Sequence, residues 1–299
     1  MSTILIKNGT LIDGSGSKRY LADILIENEK IKKIGKLDLT ADKVIDASEK
    51  IVSPGFIDTH SHSDLKVLIE PFVEPKIRQG ITTEILGQDG ISMAPLPEEY
   101  VSSWRKNLAG LDGDSDELKW DWKNTDGYLN LISKTGSGPN ELYLVPHGNI
   151  RMEAMGLEAR VATKEELEKM KEITRREMEA GVAGLSTGLI YIPCAYAETE
   201  ELIEICKVAA EYGRPLVIHQ RSEADTMLES MQEVIRIAKE SGVKIHFSHF
   251  KICGQKNWKL IEPVIALLDK CKEEGINVSY DQYPYVAGST MLGVILPPW

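Results

Sequence analysis

Pro215-Leu216-Val217-Ile218-His219-Gln220, then the amphipathic stretch Met227–Ser241, then Ile245-His246-Phe247-Ser248-His249-Phe250 decide how this chain folds. The first run is apolar without polar alternation, as a strand buried on both faces must be. The second repeats it after a segment long enough to be a helix. A strand, a helix and another strand of the same kind make a βαβ unit, whose crossover leaves the two strands parallel. Each run ends on or beside a histidine, His219 in one and His249 in the other.

The unit recurs from residue 56 onward. Strand-like runs at Phe56–His62, Thr82–Gln88, Glu141–Gly148, Gly181–Ile190, Pro215–Gln220, Lys244–Phe250 and Asn277–Tyr285 alternate with amphipathic stretches such as Lys164–Ala180, Glu198–Tyr212, Met227–Ser241 and Lys259–Glu274. In Lys164–Ala180, Leu167, Met170, Ile173 and Met178 fall at near-helical spacing among Glu and Lys. Gly181 and Gly213 stand just past helix ends, where a C′ glycine belongs. We expect an α/β chain built as a (β/α)8 TIM-like barrel, about seven of whose eight strands lie here; such a barrel takes roughly 250 residues. The barrel is assigned residues 55–299: either its sheet stays open, or the chain is a piece of something longer and the barrel is incomplete at the C-terminal end. Residues 1–54 read differently: Ile4–Gly9, Ala22–Asn28, Ile31–Gly35, Val44–Ala47 and Ile51–Ser53 are short strands punctuated by Gly and Asn, the N-terminal part of a small β-sandwich. Val101–Asn140 interrupts the barrel pattern and is read as a helical excursion that buries Trp104, Trp120 and Trp122.

Composition narrows the partners. With 42% hydrophobic and 27% charged residues among 299, the chain is ordinary for a globular protein, and its net charge of −11 without a basic stripe argues against nucleic acid. No window approaches the roughly 18 apolar residues of a membrane span. Cys194, Cys206, Cys253 and Cys271 are scattered without a metal-type CxxC spacing, so a reducing, cytoplasmic location is expected.

The chemistry gathers where runs end. In Pro54-Gly55-Phe56-Ile57-Asp58-Thr59-His60-Ser61-His62 an apolar run closes on two histidines spaced by two, which alternate strand geometry would turn to the same side. Asp89 closes the second run, His219 the fifth and His249 the sixth. In a parallel barrel the C-terminal ends of the strands share one mouth, so His60, His62, Asp89, His219 and His249 can converge on a metal ion. A divalent ion with an open position brings the pKa of water toward about 7 and polarises a carbonyl, which suits hydrolysis of an amide or ester. Asp58 shares the histidine face as a supporting group or a catalyst. His147 is left open between facing the site and bonding backbone, and His246, three before His249, is read as structural.

With these residues in view, the chain resembles the amidohydrolase superfamily, and within it the N-acyl-D-amino-acid deacylases (D-aminoacylases). The general likeness is Pro54–His62 after a β-sandwich beginning. More specific are Gly80-Ile81-Thr82-Thr83, Gly90-Ile91-Ser92-Met93-Ala94-Pro95-Leu96, Gly184-Leu185-Ser186-Thr187-Gly188-Leu189-Ile190-Tyr191, Ser248-His249-Phe250-Lys251 and Asp281-Gln282-Tyr283-Pro284-Tyr285-Val286-Ala287-Gly288-Ser289-Thr290. The resemblance implies that His219 and His249 hold one tightly bound zinc and that His60 and His62 form a second, weak position. Where the family often has a cysteine, Asp89 offers a carboxylate, a valid but harder zinc ligand. The resemblance also makes Tyr191 an aid to carbonyl polarisation, and Lys251, Tyr283 and Ser289 donors for the free carboxylate of a small N-acyl amino acid substrate. Taken alone, Lys251 would read as a surface lysine, and Tyr283 and Ser289 as a turn. The family's catalytic aspartate and a substrate-gripping arginine are expected beyond Trp299. Two other readings compete. A cyclic-amide hydrolase of the dihydropyrimidinase or hydantoinase type usually carries a modified lysine on the fourth strand, and Gly184–Ile190 has no lysine. A non-catalytic barrel fragment is the third.

Overall fold

The structure, a computed structural model, describes residues 2–296. They divide between Phe56 and Ile57 into two compact units.

In the first unit β1 (Thr3–Leu11), β2 (Tyr20–Glu27), β3 (Lys30–Gly35) and β4 (Lys43–Asp46) lie in the order β3-β2-β1-β4, and β5 (Ile51–Val52) also pairs with β1. β2 runs antiparallel to β1 and β3, whereas β4 and β5 run parallel to β1. The β1–β2 register shifts between Ile6 and Gly9. Asp23 accepts the N–H of Asn8 at 2.8 Å and of Leu37 at 2.9 Å, satisfying donors that the ladder skips. One face of this sheet buries Leu11, Ala22 and Ile24. The sandwich expected here is represented by one layer among the described residues. Alternation says that one face is covered, not what covers it.

The second unit holds, from Ile57 of β6 (Phe56–Asp58) onward, β7 (Ile81–Leu86), β8 (Asn140–Pro146), β9 (Gly184–Gly188), β10 (Leu216–His219), β11 (Ile245–Phe247) and β12 (Val278–Tyr280), and these strands follow chain order across a seven-stranded sheet. The pairings from β7 to β12 are all parallel. The curled parallel sheet is that of a TIM-like barrel, of the α/β class expected. β9 and β10 are buried at every position, while Phe56 on β6 and Tyr280 on β12 are exposed, so burial falls from the centre of the sheet to its margins.

Among the described residues seven longer helices follow: α1 (Val101–Leu108), α2 (Thr125–Thr135), α3 (His147–Met155), α4 (Lys164–Glu179), α5 (Thr199–Glu211), α6 (Met227–Ser241) and α7 (Ile261–Glu273). α4 opens on a capping box: the Thr163 hydroxyl accepts the Glu166 N–H at 3.2 Å, and the Glu166 carboxylate accepts the Thr163 N–H at 2.8 Å. α6 buries Met227, Met231, Val234, Ile237 and Ala238, a stripe at three- and four-residue spacing that packs into the common core.

Two features differ from the sequence reading. The strands stop short of the apolar runs: β6 ends at Asp58 and β11 at Phe247, so His60, His62 and His249 stand on loops past the strands. Strand alternation therefore does not explain why the first two converge. Packing keeps residues buried beyond the last ladder hydrogen bond, and a hydrophobicity pattern cannot see where that bond is. The excursion over 101–140 does bury its tryptophans, with Trp104 and Trp122 donating indole N–H groups to the carbonyls of Ser92 and Met93, each at 2.7 Å. It also brings Leu111 and Asp112 to the barrel mouth, which a plain helical excursion would not. Among the described residues no helix is long and apolar enough to cross a membrane.

Candidate metal centre

A cavity of about 680 Å³ opens beyond the C-terminal ends of the strands. Asp89 sits at its floor on the short 3-10 turn Gln88–Gly90 after β7. Its own backbone is left-handed, φ 58°. The glycines on either side explain why this turn forms. A Cβ on Gly87 would stand 2.1 Å from the Leu144 carbonyl oxygen, and one on Gly90 2.7 Å from the Thr187 Cα. Only glycine lets the turn lie this close to β8 and β9.

Four histidines surround Asp89. Its Oδ2 faces the pair after β6, 3.4 Å from His62 Nε2 and 3.7 Å from His60 Nε2. Its Oδ1 faces the pair at the ends of β10 and β11, 3.6 Å from His249 Nε2 and 3.9 Å from His219 Nδ1. The carboxylate thus gives one oxygen to each pair, and the two triads share it. Buried Asp89 Oδ1, His219 Nδ1 and His60 Nδ1 lack hydrogen-bond partners. Buried lone pairs without partners are costly, and a cation removes that cost. The donor set, imidazole nitrogens with carboxylate oxygen, fits zinc and similar divalent ions.

The electrostatics agree. Burial works against ionisation of Asp89, yet His60 and His249 hold its carboxyl well below the ordinary range. Burial brings His219 down to about 4, so it is neutral and free to ligate. Burial also opposes charge on His249, but Asp89 and Glu223 raise it to about 9. Positive charge is drawn to this site.

Each sequence-picked residue can now be placed. His60, His62, Asp89, His219 and His249 converge, and Tyr191, Lys251, Tyr283 and Ser289 line the same cavity. The Tyr191 ring meets His219 edge-on with centroids 5.3 Å apart, and its hydroxyl lies 2.8 Å from the Thr290 hydroxyl. Lys251 donates to Glu223 Oε2 at 2.6 Å and to the His249 carbonyl at 3.0 Å, with its ammonium 5.3 Å from the centre of the Tyr283 ring. Asp58 pairs with Lys76, which also holds Glu84 at 3.1 Å. His147 is buried away from the mouth, between the Thr187 hydroxyl at 2.9 Å and Glu201 at 2.7 Å. His246 bonds Ser279 and Asp281, each at 2.8 Å.

Three acidic residues were missed. Glu223 Oε1 lies 2.8 Å from His249 Nδ1, and by accepting its N–H it turns Nε2 toward Asp89. Asp281 accepts the His249 backbone N–H at 2.6 Å. Asp112 stands 3.5 Å from His62 Nδ1. Asp281 lay inside a quoted motif and Glu223 only four residues after His219, but nothing in one sequence separates them from the other acids.

The model of the amidohydrolase family matches residues 43–267. The chain belongs to the amidohydrolase family. It is 36% identical to D-aminoacylase of Alcaligenes xylosoxydans xylosoxydans over 290 residues, which is 97% of this chain and 58% of that protein. The solved N-acyl-D-glutamate deacylase of Bordetella bronchiseptica, complexed with zinc and a phosphonate mimic of the tetrahedral intermediate, superposes with a TM-score of 0.87 at 36% identity, covering 94% of this chain and 58% of that one. L-hydantoinase of Arthrobacter aurescens shares the fold at a TM-score of 0.59 and 17% identity, covering 95% of this chain and 59% of that one. This amidohydrolase chain therefore spans a little over half the length of the relatives it matches.

Proposed function

We propose that this chain carries the metal-binding barrel of a zinc-dependent hydrolase that cleaves the amide bond of N-acyl-D-amino acids, releasing a carboxylate and a D-amino acid. The observation that carries the reading is the convergence of two histidine pairs on the two oxygens of Asp89, in a cavity that also presents Lys251 and Tyr283. Likeness to deacylases at 36% identity supports the substrate class.

His219, His249 and Asp89 would hold the tight ion, and His60, His62 and Asp89 a weaker one. When bound, a zinc ion polarises a carbonyl and makes hydroxide available near neutral pH. Burial, with Asp89 nearby, pushes the Tyr191 phenol above its ordinary range, so it stays protonated and can donate to the carbonyl oxygen of the scissile amide. Lys251 is already an ion-pair donor at the cavity wall, and together with the Tyr283 and Ser289 hydroxyls it would receive the substrate's free carboxylate. Glu223 holds His249 and Lys251 in place from behind.

The test is release of free amino acid by the zinc-loaded full-length protein from matched N-acyl-D- and N-acyl-L-amino acids, with hydantoin alongside. Metal-dependent turnover of D substrates, abolished in His219→Ala, is expected. No turnover of any acyl amino acid, or turnover of hydantoin alone, would overturn the proposal. The absence of lysine on β9 is a further observation against the cyclic-amide reading.

A further inference from the structure

We propose that Asp64, Asp112 and the Nδ1 edge of His62 form a separate divalent-cation site, distinct from the two positions that share Asp89. The ligand atoms of the three residues lie within 4.8 Å of one another. His62 stands between two carboxylates: its Nε2 looks toward Asp89 at 3.4 Å, and its Nδ1 toward Asp112 Oδ1 at 3.5 Å. The proposed site is on the second side.

Its acidic residues are built in rather than draped on the surface. Asp64 is 1% exposed and Asp112 8%. Asp64 Oδ1 accepts the Gly87 N–H at 2.8 Å and the Ser92 hydroxyl, which fixes the carboxylate and leaves Oδ2 without a partner. Neither oxygen of Asp112 has a hydrogen-bond partner. Among the described residues no lysine or arginine pairs with either carboxylate. Two buried carboxylates with three unsatisfied oxygens, facing one imidazole nitrogen, are costly unless a proton or a cation neutralises them. Two carboxylates and one imidazole suit borderline-to-hard divalent ions, manganese and zinc among them. His62 and Leu111, beside Asp112, line the open cavity.

Sharing His62 has a chemical consequence. A neutral imidazole that gives its Nδ1 lone pair to a cation keeps its proton on Nε2, and that nitrogen cannot then ligate a second ion beside Asp89. Filling the new site therefore empties the His60–His62 position, without touching His219 and His249.

Manganese is the probe. The full chain, loaded with one zinc and carrying His60→Ala, loses a ligand of the weaker Asp89 position and none of the proposed site. Titration with manganese, followed by the electron paramagnetic resonance of the free ion, is expected to show one further equivalent bound. The affinity should fall tenfold or more in His60→Ala/Asp112→Asn. No manganese bound beyond the zinc, or unchanged affinity with Asp112→Asn, would overturn the proposal. Anomalous diffraction from manganese-soaked crystals of the unmutated chain needs no variant to fold. A peak between Asp64 and Asp112 supports the site, and a peak beside Asp89 alone overturns it. None of these readouts depends on amide hydrolysis, so the proposed reaction and the proposed site can fail separately.

Discussion

Asp89 shows how much one side chain can settle. Its two oxygens face two different histidine pairs, so it sets the distance between the positions as well as their charge. Replacing it by a thiolate, Asp89→Cys, should shift preference toward zinc over manganese by roughly tenfold, because sulfur is the softer donor; competition between the two ions in equilibrium dialysis measures it. Glu223 acts one bond further out. Glu223→Gln keeps the shape but weakens the acceptor for His249 Nδ1, and zinc affinity should fall roughly 10–100-fold with the circular dichroism spectrum unchanged. Equal affinity would mean that His249 is oriented by Asp281 and packing alone. The aspartate and the four histidines were legible in the sequence because each stands near the end of an apolar run. Glu223, Asp281 and Asp112 were not, since their importance lies in which imidazole they face, a relation between segments up to 50 residues apart.

At the scale of elements, α4 and the tryptophan excursion make separable claims. Glu166, bonded by Arg160 and by the Thr163 N–H, has its carboxyl held down to about 2 from an ordinary 4.5. A depressed carboxyl stabilises the fold fully above its unfolded value and loses that contribution as pH falls through its folded one. Glu166→Gln should therefore cost stability at neutral pH, with the gap to the native chain narrowing below pH 4.5 and closing beneath about 2 in urea melts at stepped pH. Thr163→Ala removes the other half of the box and should cost about 1 kcal/mol. Trp104 is 2% exposed and hydrogen-bonded through its indole, so Trp104→Ala should cost about 3–5 kcal/mol by the same melts. Helices α4 to α7 were readable from periodicity and terminal glycines. The strand ends were not, because an apolar pattern records burial while a strand is defined by its ladder. The excursion's tryptophans announced a packed insertion but could not say that the loop after α1 would carry Asp112 back to His62.

Across the whole molecule, the seven strands lie in chain order, with the most deeply buried at the centre and the least buried at the rims. Arg151, Glu201 and His147 form a fully buried polar cluster behind β9, and Arg151→Ala, which strands Glu201 without its guanidinium, should cost about 3–5 kcal/mol. The ordering of the sheet also has a kinetic meaning. Amide exchange should be slowest in β9 and β10, buried at every position, and faster in β6 and β12, whose residues are half-buried or exposed. His219 belongs to the slow centre, whereas His60 and His62 hang from the end of a rim strand. The two histidine pairs thus live on different clocks: one is anchored through His219 to a strand buried at every position, and the other hangs wholly from the end of β6, a strand with no buried position. An ion held through His219 should therefore leave more slowly than one held by His60 and His62, and a chelator chase would read that inequality.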